Sequence, residues 1–334
     1  MIANQQSELK NLKKEFLFYY ESRQNPNGDP GFENQPRLMS DGTIMVTDVR
    51  IKRTIRDYAK NKYGVTLFVD FGDDGSPVTA DNRAKEILGD KLGEGIKGLA
   101  VKTFDVPLFG GLVTIRADKS GSGSSQKLTG PVQFAIGRSV NQVQILNPMI
   151  SGRFVGKEKK NAQGDGDQEQ FSTFGKFYAV DYALIKIQGA INPINLGEYL
   201  DDPQVVENFN NAENKLIPSL WEGTNGLITR SKFPQRSIFL LEVTYDGSIY
   251  NDLPFLVEED PELKDRTNGL TASPLKFTKL LEALKTRKAK VKKVRLVACK
   301  ELLKDTQQLE ADIKALGIPV VLVKTEEPAG VTTI

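Results

Sequence analysis

The chain contains no histidine among its 334 residues. That absence removes serine–histidine and cysteine–histidine catalysis, and with them any zinc site that needs histidine. Cysteine occurs once, at Cys299, so there is no internal disulfide framework and no cysteine-rich metal site. Long apolar runs are missing too. None approaches the ~20 residues of a membrane-crossing helix. The N-terminal stretch MIANQQSELKNLKKEF is polar and lacks the apolar segment of a signal peptide. No Asn-x-Ser/Thr acceptor occurs. Together these absences point to a cytoplasmic protein without membrane contact. An enzyme built on this chain would have to rely on carboxylates, lysine, tyrosine or a carboxylate-bound metal.

What is present suits a globular chain with a substantial core: 39% hydrophobic and 26% charged residues. The net charge is only +2, but it is unevenly placed. Residues 276–304 carry eleven Lys/Arg against Glu282 and Glu301. Residues 50–62 carry six against Asp57. Acid collects at 201–213 and 257–265. Such segregation suits an anionic partner on one face; a set of solvated helix faces explains it equally well.

The pattern along the chain alternates strands and helices. Residues 14–22 read as a strand. A loop over roughly 23–46 follows, opening on NPNGDP and punctuated by Pro26, Pro30 and Pro36. Loops of that length in compact domains are either functional or disordered. Thr47 is placed to cap the next helix, with Asp48 in its first turn. Ile51, Ile55 and Tyr58 form its apolar stripe, and Arg50, Arg53, Arg56 and Lys60 share a different arc. Residues 64–100 read as an insertion with a helical piece near 81–92. Extended chain is expected over 102–117, broken by Gly110-Gly111, then a flexible loop over 118–127 and a strand-like 128–146. A charged, glycine-bearing excursion, GKEKKNAQGDGDQEQ, lies between aromatics at Phe154 and at Phe171, Phe174, Phe177 and Tyr178. Strands follow at 178–191 and 237–247, with an acidic helix between them to about 222. Ser273-Pro274 reads as the opening of a helix whose apolar face is Phe277, Leu280, Leu281 and Leu284. Strands at 293–300 and 318–324, with a helix between, close the chain. This order predicts an α+β sheet with two helices on one face, such as a ferredoxin-like core.

Two short motifs carry little. GEGIKG at 93–98 matches the dinucleotide pattern, but a polar, helix-like stretch precedes it rather than a buried strand, so it reads as a turn. DFGDDGSPVTAD at 70–81 has glycine where a calcium loop needs a side-chain oxygen, and it too reads as turn chemistry. No metal or cofactor site emerges. The RNA-recognition pattern K/R-G-F/Y-G/A-F-V-x-F/Y is absent. Cys299 and Trp221 read as packing residues.

Three segments in order are more specific: NPNGDPGFENQPRLMSDGTIMVTDVRIKRTIRDY (25–58), FDVPLFGG (104–111) and LTGPVQFAIGRSVNQV (128–143). They closely resemble the Cas-seven family, the repeated backbone subunits of type I CRISPR Cascade complexes. The resemblance is nearest to the type I-B branch, with type I-C close behind. It implies a modified ferredoxin-like or RRM-like palm with a fingers insertion and a thumb β-hairpin. On this chain that gives a first palm half with the groove loop at 14–63, fingers at 64–102, palm strands with a glycine-rich loop at 103–146, and a thumb at 147–177. A second palm half with a helical insertion spans 178–325, before a loose tail at 326–334. The implied partners are CRISPR RNA, a target DNA strand, adjacent copies of the chain, and the large, small and five-type Cas subunits of the complex. The implied function is non-catalytic: to hold the guide for base pairing. RNA contacts are expected from Asn27, Asp29, Arg37, Arg50, Lys52, Arg53, Arg56, Gly110, Gly111, Gln133 and Arg138, and in the thumb from Arg153, Phe154, Lys157, Lys159, Lys160 and Lys176. The alternative comes from related type III subunits, which cut target RNA with a metal and a loop aspartate; Asp29 would take that part here.

Overall fold

The computed structural model describes residues 8–72, 75–115, 124–155, 172–262 and 274–323. One eight-stranded sheet organises it. Its strands are β1 (Leu12–Ser22), β2 (Met45–Val46), β3 (Val132–Phe134), β4 (Gly137–Ser139), β5 (Ala183–Ile191), β6 (Gln235–Asp246), β7 (Val291–Ala298) and β8 (Val320–Leu322). The spatial order is β8-β7-β6-β1-β5-β4-β2, with β3 also pairing β5. Every pairing is antiparallel except β7 with β8. β1 lies at the centre, with Phe18 opposite Ile187 of β5 and Leu240 of β6.

Alternation along β1 explains the layers. Successive side chains point to opposite faces of a strand. Phe16, Phe18 and Tyr20 enter one core, and Leu17 and Tyr19 enter the other. The first core is covered by α1 (Asp48–Tyr63), α2 (Ala80–Leu88), α3 (Gly95–Lys102) and α4 (Pro203–Asn225). The second is covered by α5 (Thr278–Arg287) and α6 (Leu303–Ala315) through Leu280, Leu284, Leu309 and Ile313. The expected sheet with helices on one face is therefore a three-layer structure with both faces covered. A fully buried ring such as Phe18, packed 6.2 Å from Trp221, contributes about 1.5–3 kcal/mol of burial.

Local rules account for the long helices. Thr47 Oγ1 accepts from Arg50 N–H at the start of α1, and Gly64, at φ +63°, ends it with an N–H to the Lys60 carbonyl. Asp202 accepts from Gln204 and Val205 N–H ahead of Pro203 at the start of α4. The C-terminal helix starts later than its proline suggested. Leu275-Lys276 pairs instead with Glu258-Glu259 as a short ladder, and α5 begins at Thr278. Residues 80–102 are more helical than the sequence pattern indicated. GEGIKG lies at the start of α3, where Gln126 Oε1 accepts the Ile96 N–H at 2.9 Å. A Cβ at Gly95 would lie 2.0 Å from that same oxygen. The helix end is thus filled by glutamine, with no cradle for a phosphate.

Candidate nucleic-acid interface

The loop that begins NPNGDP is a braced structure rather than a slack connection. Gly28-Asp29 pairs antiparallel with Gln35-Pro36. Between them Asp29 Oδ1 accepts from Gly31 N–H and caps a single turn, Pro30–Phe32. Glu33 and Asn34 take positive φ, and Asn34 N–H returns to the Asp29 carbonyl at 2.8 Å. A second turn closes where Met39 N–H meets the Thr43 carbonyl, with Asp41 Oδ1 bonded to Thr43. Asn27 Oδ1 accepts from both Thr47 N–H and Thr47 Oγ1, at 3.0 and 2.9 Å, which ties the loop to the cap of α1.

Three segments meet at the end of the central strands where β1 finishes and β5 and β6 begin. They are the braced loop, residues 177–178, and residues 230–232 between α4 and β6. Backbone bonds hold the first against the last: Arg23 N–H to the Pro234 carbonyl and Asn25 N–H to the Ser231 carbonyl. With the first turns of α1 they enclose a cleft of about 700 Å³. Arg37, Arg50, Arg53, Arg230 and Lys232 line it, against Glu33 as the one lining carboxylate.

The cations differ in how far they are neutralised. Arg37 Nη1 lies 3.4 Å from Asp29, and its buried Nε has no partner. Arg53 is shared between Asp57 and Asp70, at 2.6 and 3.8 Å, and stacks on Phe71. Arg50, Arg230 and Lys232 have no carboxylate within ion-pair distance among the described residues. Arg230 lies over the Phe177 ring at 5.5 Å. Among the described residues Lys232 donates only to the Asn25 carbonyl. Burial, followed by repulsion from Arg50, pulls the Lys232 ammonium down to about 8. Burial also lowers the Arg50 guanidinium, against the pull of Tyr20 and Asp57. An uncompensated cation cluster inside a cleft is the arrangement an anion relieves.

Some of the expected contacts are brought into this cleft, and others are placed elsewhere. Arg37, Arg50 and Arg53 line it. Asn27 also lines it, with its amide oxygen committed to Thr47. Asp29 is occupied by Gly31 and Arg37. Lys52 turns away, bonded to Asp48 at 3.0 Å and set over Phe109. Arg56 departs furthest from the expected basic arc. It is 7% exposed, pairs with fully buried Asp105 at 2.8 Å and packs over Phe109. The strip of α1 between its apolar stripe and solvent faces the 104–109 segment, so Arg56 is an interior ion pair rather than a surface cation. Gly110, at φ +76°, is required by its own hairpin, since a Cβ there would lie 2.2 Å from the Leu128 carbonyl. Gly111 lies in the same pairing of Gly110–Ile115 with Ser124–Thr129. Gln133 donates to the Gly130 carbonyl, and Arg138 pairs with Asp41 at 2.7 Å on the exposed edge by β2. Arg153, Phe154 and Lys176 fall on the paired strands Met149–Val155 and Ser172–Lys176. Lys157, Lys159 and Lys160 lie outside the described residues.

Sequence reasoning missed Asn25, Arg230 and Lys232. The pair RSK at 230–232 sits some two hundred positions from the loop it faces. Its only signal was two cations in a short connection with no acid nearby. In the larger basic run four of the eleven cations are neutralised by carboxylates among the described residues. Lys279 pairs with Glu258, Arg287 with Asp252, Lys292 with Asp246, and Arg295 with Glu242 and Glu213. The acidic segments at 201–213 and 257–265 supply many partners, including Asp202 for Lys97, Glu213 for Lys14 and Glu259 for Lys186. Charge that is segregated along the sequence is interleaved in space.

Among the described residues no helix is long and apolar enough to cross a membrane, and no group of three or more Asp, Glu or Cys is placed to hold a metal. The family model described as CRISPR-associated protein Cas7 matches residues 12–279. No curated protein matches the chain. One similar solved structure is titled "CRISPR RNA-guided surveillance complex", at 13% identity and TM-score 0.44 over 92% of this chain and 94% of that one. Another is titled "CRISPR RNA-guided surveillance complex, pre-nicking", at 14% identity and TM-score 0.46 over 85% and 91%.

Proposed function

Because this chain belongs to the CRISPR-associated Cas7 family, we propose that it binds CRISPR RNA as a repeating, non-catalytic backbone subunit of a type I surveillance complex, presenting the guide for pairing with target DNA. The observation that carries the reading on this chain's own residues is the cleft, where Arg50, Arg230 and Lys232 lack carboxylate partners. Guanidinium and ammonium groups there meet phosphates, which are the same at every position of any guide. Base pairing then reads the target, as in other RNA-guided effectors.

We read strands β4, β5, β1 and β6 with helices α1 and α4 as the ferredoxin-like palm. Along the chain they run strand, helix, strand, strand, helix, strand, and in space they lie β6-β1-β5-β4, all antiparallel. Residues 64–102 are the fingers and 147–177 the thumb. α5 and α6 cover the sheet face that an RNA-recognition module would offer to bases, so RNA runs past the strand ends instead. Neighbouring copies and the large, small and five-type subunits are the protein partners, in the cytoplasm. Cleavage through Asp29 is not favoured, because both of its oxygens are engaged by Gly31 N–H and Arg37.

The test is to co-express the protein with a CRISPR array and its processing nuclease, purify it with its companion subunits, and sequence the RNA that survives nuclease digestion. The expected result is a protected guide with evenly spaced sensitive positions. Purified assemblies that carry no RNA would overturn the reading. RNA cutting lost in Asp29→Ala would replace it with the nuclease.

A further inference from the structure

We propose that Asn25 Oδ1 accepts the ribose 2′-hydroxyl of the bound strand while Arg50 and Lys232 hold the adjoining phosphate, so that the cleft selects ribonucleotides over deoxyribonucleotides. The proposal rests on the reading of the cleft as an RNA groove and assigns its sugar specificity to one side chain.

Asn25 is 3% exposed, and all of its polar groups but one are engaged. Its backbone N–H donates to Ser231, its carbonyl accepts from Lys232 Nζ, and its Nδ2 donates to the Asn34 carbonyl. That last bond fixes the amide's orientation, since a flipped amide would set oxygen against oxygen. Oδ1 is left buried without a partner among the described residues. Buried polar atoms are nearly always paired, so this orphan at the wall of the cleft is open to a donor that a ligand brings.

The chemistry of the missing partner is narrow. Oδ1 can only accept, so the ligand must bring a donor. A phosphodiester has none, and base amino groups change from one nucleotide to the next. The 2′-hydroxyl is the donor that every ribonucleotide carries and no deoxyribonucleotide does. The seat is held firmly. A Cβ at Gly28 would lie 3.1 Å from Asn25 Nδ2 and 2.9 Å from the Asn34 carbonyl, so glycine lets the amide lie flat beneath the loop. Lys232 now rests on the Asn25 carbonyl as a long, single-bonded side chain. Its transfer to a phosphate, beside Arg50, would set the sugar of the same nucleotide next to Asn25.

The experiment uses the full-length protein and one sequence in three chemistries: RNA, 2′-fluoro RNA and DNA. The fluorine keeps the RNA sugar pucker and removes the donor. RNA is expected to bind roughly five- to tenfold tighter than 2′-fluoro RNA, the size of one hydrogen bond. Asn25→Ala should abolish the difference between RNA and 2′-fluoro RNA, whatever it does to the affinity of both. In the wild-type protein, single 2′-fluoro substitutions walked along the RNA should cost affinity at one nucleotide per bound copy. This arm decides the matter even if the variant does not fold. Equal binding of RNA and 2′-fluoro RNA would overturn the sugar assignment and leave the groove standing, as would losses spread evenly along the strand. Failure of all three ligands to bind would overturn the groove reading and this one with it.

Discussion

Two regions of this chain are rich in lysine and arginine, and they behave in opposite ways. The segment 276–304 has the larger excess of charge in sequence, and four of its cations, Lys279, Arg287, Lys292 and Arg295, are met by Glu258, Asp252, Asp246, Glu242 and Glu213. The cleft beside α1 gathers only five cations, from three separate segments, and leaves Arg50, Arg230 and Lys232 without carboxylate partners. The first region uses those four cations to hold layers together. The second keeps its charge available. What distinguishes the cleft is that its unmatched cations are gathered into one enclosed space.

The largest expected effect breaks the C-terminal half of that contrast. Arg295 is the shared partner of Glu242, which is fully buried, and of Glu213. Arg295→Met strands the buried Glu242, leaves Glu213 with Lys14, and should cost about 3–5 kcal/mol in urea unfolding, while the folded fraction keeps its RNA affinity. Weakened RNA binding by that folded fraction would mean the region is not spent after all.

A middle effect sharpens the other half. Arg50→Glu should weaken RNA binding by roughly 10- to 100-fold for any guide sequence and flatten its salt dependence. Lys52→Met, two residues along the same helix but bonded to Asp48, should leave affinity nearly unchanged. Equal losses in the two variants would return the whole basic face of α1 to the binding surface.

The smallest effect is a pH dependence. Lys232 is held at about 8, below the ordinary lysine value, so part of the population is neutral in mildly alkaline buffer. A bound polyanion favours the charged form and takes up a proton. RNA affinity should therefore fall as pH rises through about 8, and Lys232→Met should remove that slope. The sign is opposite for folding. The unfolded chain binds the Lys232 proton more tightly, so this residue adds stability as pH rises from about 8 toward the ordinary lysine value. A slope that survives in Lys232→Met would place the titrating group elsewhere.

Much of the fold was legible because local rules and burial agree. β1 alternates, Thr47 caps α1, and Phe277, Leu280, Leu281 and Leu284 mark an apolar helical face. Pro274 misled because a proline at a helix start and one before a short strand look alike until Glu258-Glu259 supplies the pairing. The site was half legible. Arg37, Arg50 and Arg53 follow from a long loop beside a basic helix. Arg56 sits on the same arc, and only tertiary packing against Asp105 removes it. Arg230 and Lys232 could not be found from spacing, because strand pairing between Ser22 and Gln235 is what carries their loop to Asn25.

The two helices over the second face of the sheet also have a geometric consequence. A polymer laid across an open sheet is stopped by whatever borders that sheet. A polymer held where the strands end meets no such border and leaves the molecule in the direction it entered. Copies of such a molecule can be strung along one filament like beads that grip the thread from outside, each added without unthreading the last.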